Sequence, residues 1–167
     1  MKTKKGFTLI ELLVVVAIIG LLATLGVIAF RDAQKKARDT KRLGDMRSVV
    51  AAFATANNEG TYALCKADCS AAPVAGDLLS ASRICNKCGA GGVVDATIIN
   101  LGNLTDPLST NVAQGACDGV KTACNYAYTG VAPSLSAYTL SFVTEQTAVP
   151  GLGAGAIHST NQNGIVN

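Results

Sequence analysis

From Leu12 to Phe30 the chain runs nineteen residues without a charge, and between Phe7 and Phe30 Glu11 is the only ionisable side chain. As a helix rising 1.5 Å per residue, such a run crosses a hydrocarbon layer of about 30 Å. A chain of 167 residues has room for one domain with one core and a single extended element, so this run is a membrane span rather than a second core. Hydrophobic residues make up 49% of the chain but aromatics only 5%, with no Trp, so the apolar total is carried by Ala, Val, Leu and Ile. Much of it is spent on this one segment.

The residues before the run are out of order for an ordinary secretory signal, which places its small-residue cleavage site after the apolar stretch. Here Gly6 lies between the basic start, with Lys2, Lys4 and Lys5, and the apolar run, and no A-x-A site precedes Arg31. Cleavage at Gly6 leaves the span attached. It also removes three of the fourteen cations, so eleven basic and eleven acidic side chains remain and net charge gives nucleic-acid binding no support.

The stretch Gly6-Phe7-Thr8-Leu9-Ile10-Glu11-Leu12-Leu13-Val14-Val15-Val16-Ala17-Ile18-Ile19-Gly20 resembles the class III signal and stem of type IV pilins and type II secretion pseudopilins. The resemblance implies cutting by prepilin peptidase between Gly6 and Phe7, methylation of the new Phe7 amine, and an assembly role for Glu11. One feature departs from the family: many members carry a Pro in the second half of the apolar segment, whereas this chain reads Leu25-Gly26-Val27-Ile28-Ala29. Gly20 and Gly26 each weaken the helix by about 1 kcal/mol relative to Ala.

Beyond Phe30 the helical pattern turns amphipathic, with Ala33 and Ala37 followed by Leu43, Met46, Val50 and Phe53 at spacings of three, four and three. The opposite face is expected to carry Arg38, Arg42 and Asp45. Residues 31–47 hold seven cations against three acids, a basic belt read as a solvated or headgroup-facing segment. Asn57-Asn58-Glu59-Gly60 is a stop signal with Gly60 as a left-handed cap. One helix from Phe7 to Asn57 is therefore expected, a rod of roughly 75 Å.

From Thr61 the texture changes to Gly, Ala, Ser, Thr and Asn with short apolar runs. The patterns predict a short helix over 77–83 and strands over 97–101, 126–129 and 137–143, the last with clean alternation. Pro150-Gly151 and the Gly-rich stretch after it read as loop, and Gly164-Ile165-Val166 as a short final segment. The order of long helix, variable middle and antiparallel strands is similar to the pilin architecture. Asp106-Pro107, Asn125-Tyr126-Ala127-Tyr128, Tyr138-Thr139-Leu140 and Glu145 resemble the D-P…Y-x-Y…Y-x-L…E pattern of many major pseudopilins and short pilins. Some of those proteins bind calcium, but no spaced acidic cluster stands between Asp118 and Glu145, and no metal or other cofactor is expected.

Six cysteines fall as Cys65-x3-Cys69, Cys85-x2-Cys88 and Cys117-x6-Cys124, all in the head. In an exported head, three disulfides are the expectation, with Cys117–Cys124 the preferred pair and the other four joined locally or crosswise between their clusters. The competing chemistry is a zinc site or a thiol-redox domain on a pilin-like stem, since C-x3-C…C-x2-C lies near zinc-ribbon spacing and Cys85-Asn86-Lys87-Cys88 is a C-x-x-C. Other enzyme templates find no support. His158 is the single histidine, and neither a phosphate loop nor H-E-x-x-H occurs. Asn103-Leu104-Thr105 matches a glycosylation sequon but reads as a plain loop.

The expected fold is α+β, a long N-terminal helix packed on a small antiparallel, disulfide-stapled head. The expected organisation is a cleaved leader over 1–6, a membrane and filament-core helix over 7–30, an amphipathic continuation over 31–58 and a head over 59–167. The expected function is structural rather than enzymatic. By resemblance, subunits wait in the inner membrane among lipid with their heads outside the cytoplasm, and an assembly platform with its ATPase adds them to copies of themselves in a periplasmic or extracellular filament.

Overall fold

The computed structural model describes residues 6–166 apart from 96–97, 109–116, 118–123, 131–132, 147–148, 150–151 and 153–156. A single α-helix, α1, runs Leu9–Glu59. Six short strands follow: β1 (Ala63–Lys66), β2 (Ser82–Cys85), β3 (Ala127–Tyr128), β4 (Thr139–Val143), β5 (Ile157–Asn161) and β6 (Gly164–Val166). The arrangement is α+β and pilin-like. No proline interrupts the chain before Pro73, and the helix ends where Gly60 adopts φ 69° and donates its N–H to Asn57 C=O at 3.2 Å. A left-handed residue at that point closes the last turn, as glycine does without steric cost.

The chain separates into two compact units, residues 1–37 and 38–167. In the first, the apolar side chains of α1 are uncovered: Phe7 is 88% exposed and Leu25 63%. In the second, α1 buries Leu43, Met46, Val49, Phe53 and Ala56, one stripe at helical spacing. These side chains share a core with Leu79, Ile84, Leu101, Tyr126, Tyr128, Tyr138, Leu140 and Phe142, and Phe53 meets Tyr138 edge to face at 4.9 Å. Val49 rather than Val50 lies in the stripe, and Val50 is only partly covered.

Two antiparallel sheets form the head, the hairpin β1–β2 and the four strands β3-β4-β5-β6 in sequential order. Cys65 faces Arg83 in the first, and Phe142 faces His158 in the second. Strand β4 alternates as expected but is buried from Leu140 through Val143. Leu140 and Phe142 join the main core, whereas Val143 packs on Cys117 and Cys124 and Ser141 Oγ donates to Cys117 C=O at 2.8 Å. The 117–124 disulfide thus covers the face that alternation assigns to water.

Several sequence expectations are corrected. The segment 77–83 contains a 3-10 turn, Leu79–Ala81, running straight into β2, because Ser82 and Ile84 pair with β1. Over 98–101 there is no strand: Leu101 opens a second 3-10 turn, Leu101–Asn103, that drops its side chain into the core. Thr97 lies outside the described residues. The strand expected over 126–129 is confined to Ala127–Tyr128, and His158, read as part of a loop-rich tail, stands in β5 with β4 on one side and β6 on the other. Pro150 and Gly151 lie outside the described residues.

Candidate functional site

At the start of α1, Gly6 and Phe7 are exposed and Thr8 is the N-cap, three residues before Glu11. Thr8 donates its backbone N–H and its hydroxyl to Glu11 Oε2, each at 2.8 Å, and Glu11 returns its N–H to Thr8 Oγ1 at 3.3 Å. This is a capping box, in which a hydroxyl and a carboxylate three residues apart satisfy each other's orphan amides. Thr8-Leu9-Ile10-Glu11 carries the signal for it in plain sequence. The described hydrogen bonds of the Glu11 carboxylate therefore run to Thr8 of the same chain. Following it, α1 is long and apolar enough to cross a membrane, with none of the most apolar stretch buried.

The second constellation was hidden in the basic belt. Arg42 and Asp39, expected respectively on an outer face and among solvated charges, are each 1% exposed in their side chains. Arg42 grips Asp106 with two parallel bonds, Nε to Oδ2 at 2.7 Å and Nη2 to Oδ1 at 2.8 Å. Its Nη1 donates to Asp39 Oδ1 at 2.6 Å and to Glu145 Oε1 at 3.1 Å. Arg38 forks onto Glu145 at 2.6 and 2.7 Å. Asp39 in turn accepts the backbone N–H groups of Glu145 and Gln146 at 2.9 and 3.0 Å, and Asp106 accepts that of Leu108 at 2.8 Å. One helix turn of α1 is thereby locked to two distant chain segments. Planar guanidinium groups are suited to this because each fork satisfies both oxygens of a carboxylate.

Charge follows geometry. Hydrogen bonds from Arg38 hold the Glu145 carboxyl below the usual range against the opposing effect of burial, with Arg42 adding to the pull. For Arg42, burial favours the neutral form, but bonding to Asp106, Asp39 and Glu145 outweighs it and raises the pKa. Asp45, also expected on the outer face, is half-buried and accepts Tyr126 Oη–H at 3.0 Å. Burial raises the Asp45 pKa, which the bond from Tyr126 partly opposes. Burial and the nearby Asp45 and Asp106 carboxylates raise the pKa of Tyr126 as well. Asp106, Tyr126, Tyr138 and Glu145, members of the loose head pattern, are thus brought onto one side of α1, while Tyr128 joins the same core.

The six cysteines form Cys65–Cys88, Cys69–Cys85 and Cys117–Cys124, with Cα–Cα distances of 5.5, 6.2 and 4.9 Å. The first four are joined crosswise, so Cys85 and Cys88 of the C-x-x-C are not partners. All six sulfurs are occupied by these bonds, leaving no thiolate for tetrahedral zinc or exchange. Gly92 makes the crossed pair sterically feasible: a Cβ there meets Lys87 C=O at 2.3 Å and Cys69 Cβ at 3.0 Å. Asn103 of the sequon is exposed at the end of a 3-10 turn.

Residues 1–27 match the family model described as the prokaryotic N-terminal methylation motif. Over 60 residues the chain is 42% identical to Fimbrial protein Q of Moraxella bovis, a match covering 36% of this chain and 38% of that protein. These matches place the N-terminal segment with the type IV pilins. A Fimbrial protein of Pseudomonas aeruginosa is 40% identical over 60 residues, covering 36% of this chain and 39% of that pilin-related protein. The Type IV major alpha-pilin of Moraxella bovis is 42% identical over a stretch that covers 36% of this chain and 38% of its own. The chain thus spans under two-fifths of the length of the curated pilins it matches. No solved structure matches it.

Proposed function

We propose that this chain is a structural subunit of a type IV pilus-like filament and has no catalytic role. The observation that carries this reading is the uncovered apolar stem carrying a methylation motif, attached to a head whose own core is complete. Exposed apolar surface of that extent is stable in lipid or against copies of itself, and a head-to-tail contact that does not close makes a fibre.

In this reading residues 1–6 are a leader removed by a prepilin peptidase between Gly6 and Phe7, and the Phe7 amine is then methylated. Residues 7–30 hold the precursor in the inner membrane and later line the filament core, while 31–58 join the stem to the head over 59–167. An assembly platform and its ATPase supply the work of extraction. Glu11 finds its assembly partner in the Phe7 amine of a neighbour, since a carboxylate at membrane depth costs about 2.5–3.5 kcal/mol or more without a partner. The capping box supplies an interim partner within the subunit.

Mass spectrometry of assembled material tests the processing: the expected product begins at methylated Phe7. Retention of Met1 in filaments overturns it.

A further inference from the structure

His158 is the single histidine of the chain, and it is buried in β5 opposite Phe142 of β4, their rings 5.5 Å apart. Its Nε2 lies 3.0 Å from Thr144 Oγ1. The Thr144 hydroxyl donates to Gln146 C=O at 2.9 Å, so toward the ring it is the acceptor and Nε2 carries the proton. The other nitrogen, Nδ1, is buried without a hydrogen-bond partner. Both observations select the neutral Nε2–H tautomer, since a proton on Nδ1 has no acceptor to meet.

The relay does not stop at Gln146. The N–H groups of Gln146 and Glu145 both donate to Asp39, whose carboxylate also receives Arg42. From the imidazole, four hydrogen bonds in series thus reach the guanidinium that grips Asp106. The ionisable groups around the 144–146 turn are Arg38, Asp39 and Arg42 of α1, Glu145 of the turn itself and Asp106. Their described bonds are to one another and to backbone amides, and none reaches Nδ1. Strand β6 brings no ionisable side chain to the ring.

We propose that His158 is a proton-sensitive catch for the helix clamp. With the ring neutral, Nε2–H fixes Thr144, Thr144 fixes the 144–146 turn, and the turn presents two amides to Asp39. When Nδ1 takes a proton, the imidazolium is a buried charge with no acceptor on that side, and the turn moves to let it reach water. Asp39 then loses its amide donors while the disulfide-stapled β1–β2 hairpin stays intact. The inference rests on the head alone and stands apart from the filament reading.

Hydrogen exchange on the full chain in lipid nanodiscs, corrected for intrinsic rates, tests it through the Glu145 and Gln146 amides. Between about pH 7.5 and pH 5 the wild-type protection is expected to fall by roughly five- to tenfold, as for loss of one hydrogen bond. Thr144→Val should show that loss already at neutral pH, and Thr144→Ser should restore protection. His158→Gln, whose amide nitrogen donates without titrating, should keep protection and abolish the pH step. Nitrogen chemical shifts of the ring should report Nε2–H at neutral pH. An Nδ1–H or imidazolium signal there, unchanged protection in Thr144→Val, or the same pH step in His158→Gln each overturns the proposal.

Discussion

The two halves of α1 use one backbone conformation for opposite ends. Up to Phe30 the side chains are almost wholly Leu, Ile, Val and Ala, and the large ones are exposed. From Arg38 the helix is rich in charge, yet two of those charged side chains, Asp39 and Arg42, are among its buried residues. Hydrophobicity alone therefore inverts the burial of this molecule. The apolar half has no polar handle to fix it in one place and relies on lipid or on copies of itself. The charged half is held by directional bonds that accept only one geometry, because a buried ion pair misplaced by an ångström leaves a desolvated charge unpaired.

The largest effect is expected at Glu11. Glu11→Ala subunits should enter the membrane and be cleaved but fail to form filaments, measured as sheared filament yield against membrane-retained mature subunit. Glu11→Asp should be intermediate, and wild-type filament yield from Glu11→Ala alone removes the register role. Unfolding of the head should be untouched by either change, since no described head residue bonds Glu11.

Next in size is the clamp. Asp106→Ala leaves the buried Arg42 without its two-pronged partner and should cost about 3–5 kcal/mol in chemical denaturation. Phe53→Ala, which vacates the edge-to-face contact with Tyr138, should cost a similar 3–5 kcal/mol or so. Leu25→Ala, although it deletes as much apolar surface, should leave head stability within about 0.5 kcal/mol, because nothing in the head covers it. Equal losses at Phe53 and Leu25 would erase the distinction between the two halves.

Removing both cysteines of the Cys69–Cys85 bridge opens a loop of sequence separation 16 and should cost about 3 kcal/mol. The Cys117–Cys124 loop, at separation 7, should cost somewhat less, about 2–2.5 kcal/mol. Guanidinium titrations of the paired variants against wild type measure both. A reversed order would mean that cover over Ser141 and Val143 outweighs loop closure.

The smallest effect is in the acid limb. Glu145 has a lowered pKa in the fold, so its contribution is fully present above the unfolded carboxylate value and is lost as pH falls through the lower folded value. Glu145→Gln should flatten that part of the stability curve while leaving the neutral and basic part parallel to wild type. Asp45 has the opposite sign: its raised pKa means that ionisation is resisted in the fold, so its penalty grows as pH rises through the carboxylate range. A steeper acid limb in Glu145→Gln would contradict the direction of its shift.

The sequence by itself determined the stem. A run of nineteen uncharged residues, Gly6 ahead of it, Glu11 five positions on and Gly60 at the far end give the span, the processing point and the helix stop through local rules alone. The capping box of Thr8 and Glu11 was equally local and legible from its spacing. Tertiary structure decided the head. Arg42 looks solvent-facing because its partners Asp106 and Glu145 are 64 and 103 residues away, and periodicity carries no record of charges that distant. Short strands such as Ile157–Asn161 lie below the length at which alternation separates strand from loop, and their pairing with β4 made the assignment. The disulfide pairing of the first four cysteines followed the same logic: spacing allowed local or crossed bonds, and only the β1–β2 register brought Cys65 to Cys88 and Cys69 to Cys85. Local physics writes itself into neighbouring residues, whereas a buried ion pair or a crossed disulfide exists only after folding brings remote segments together.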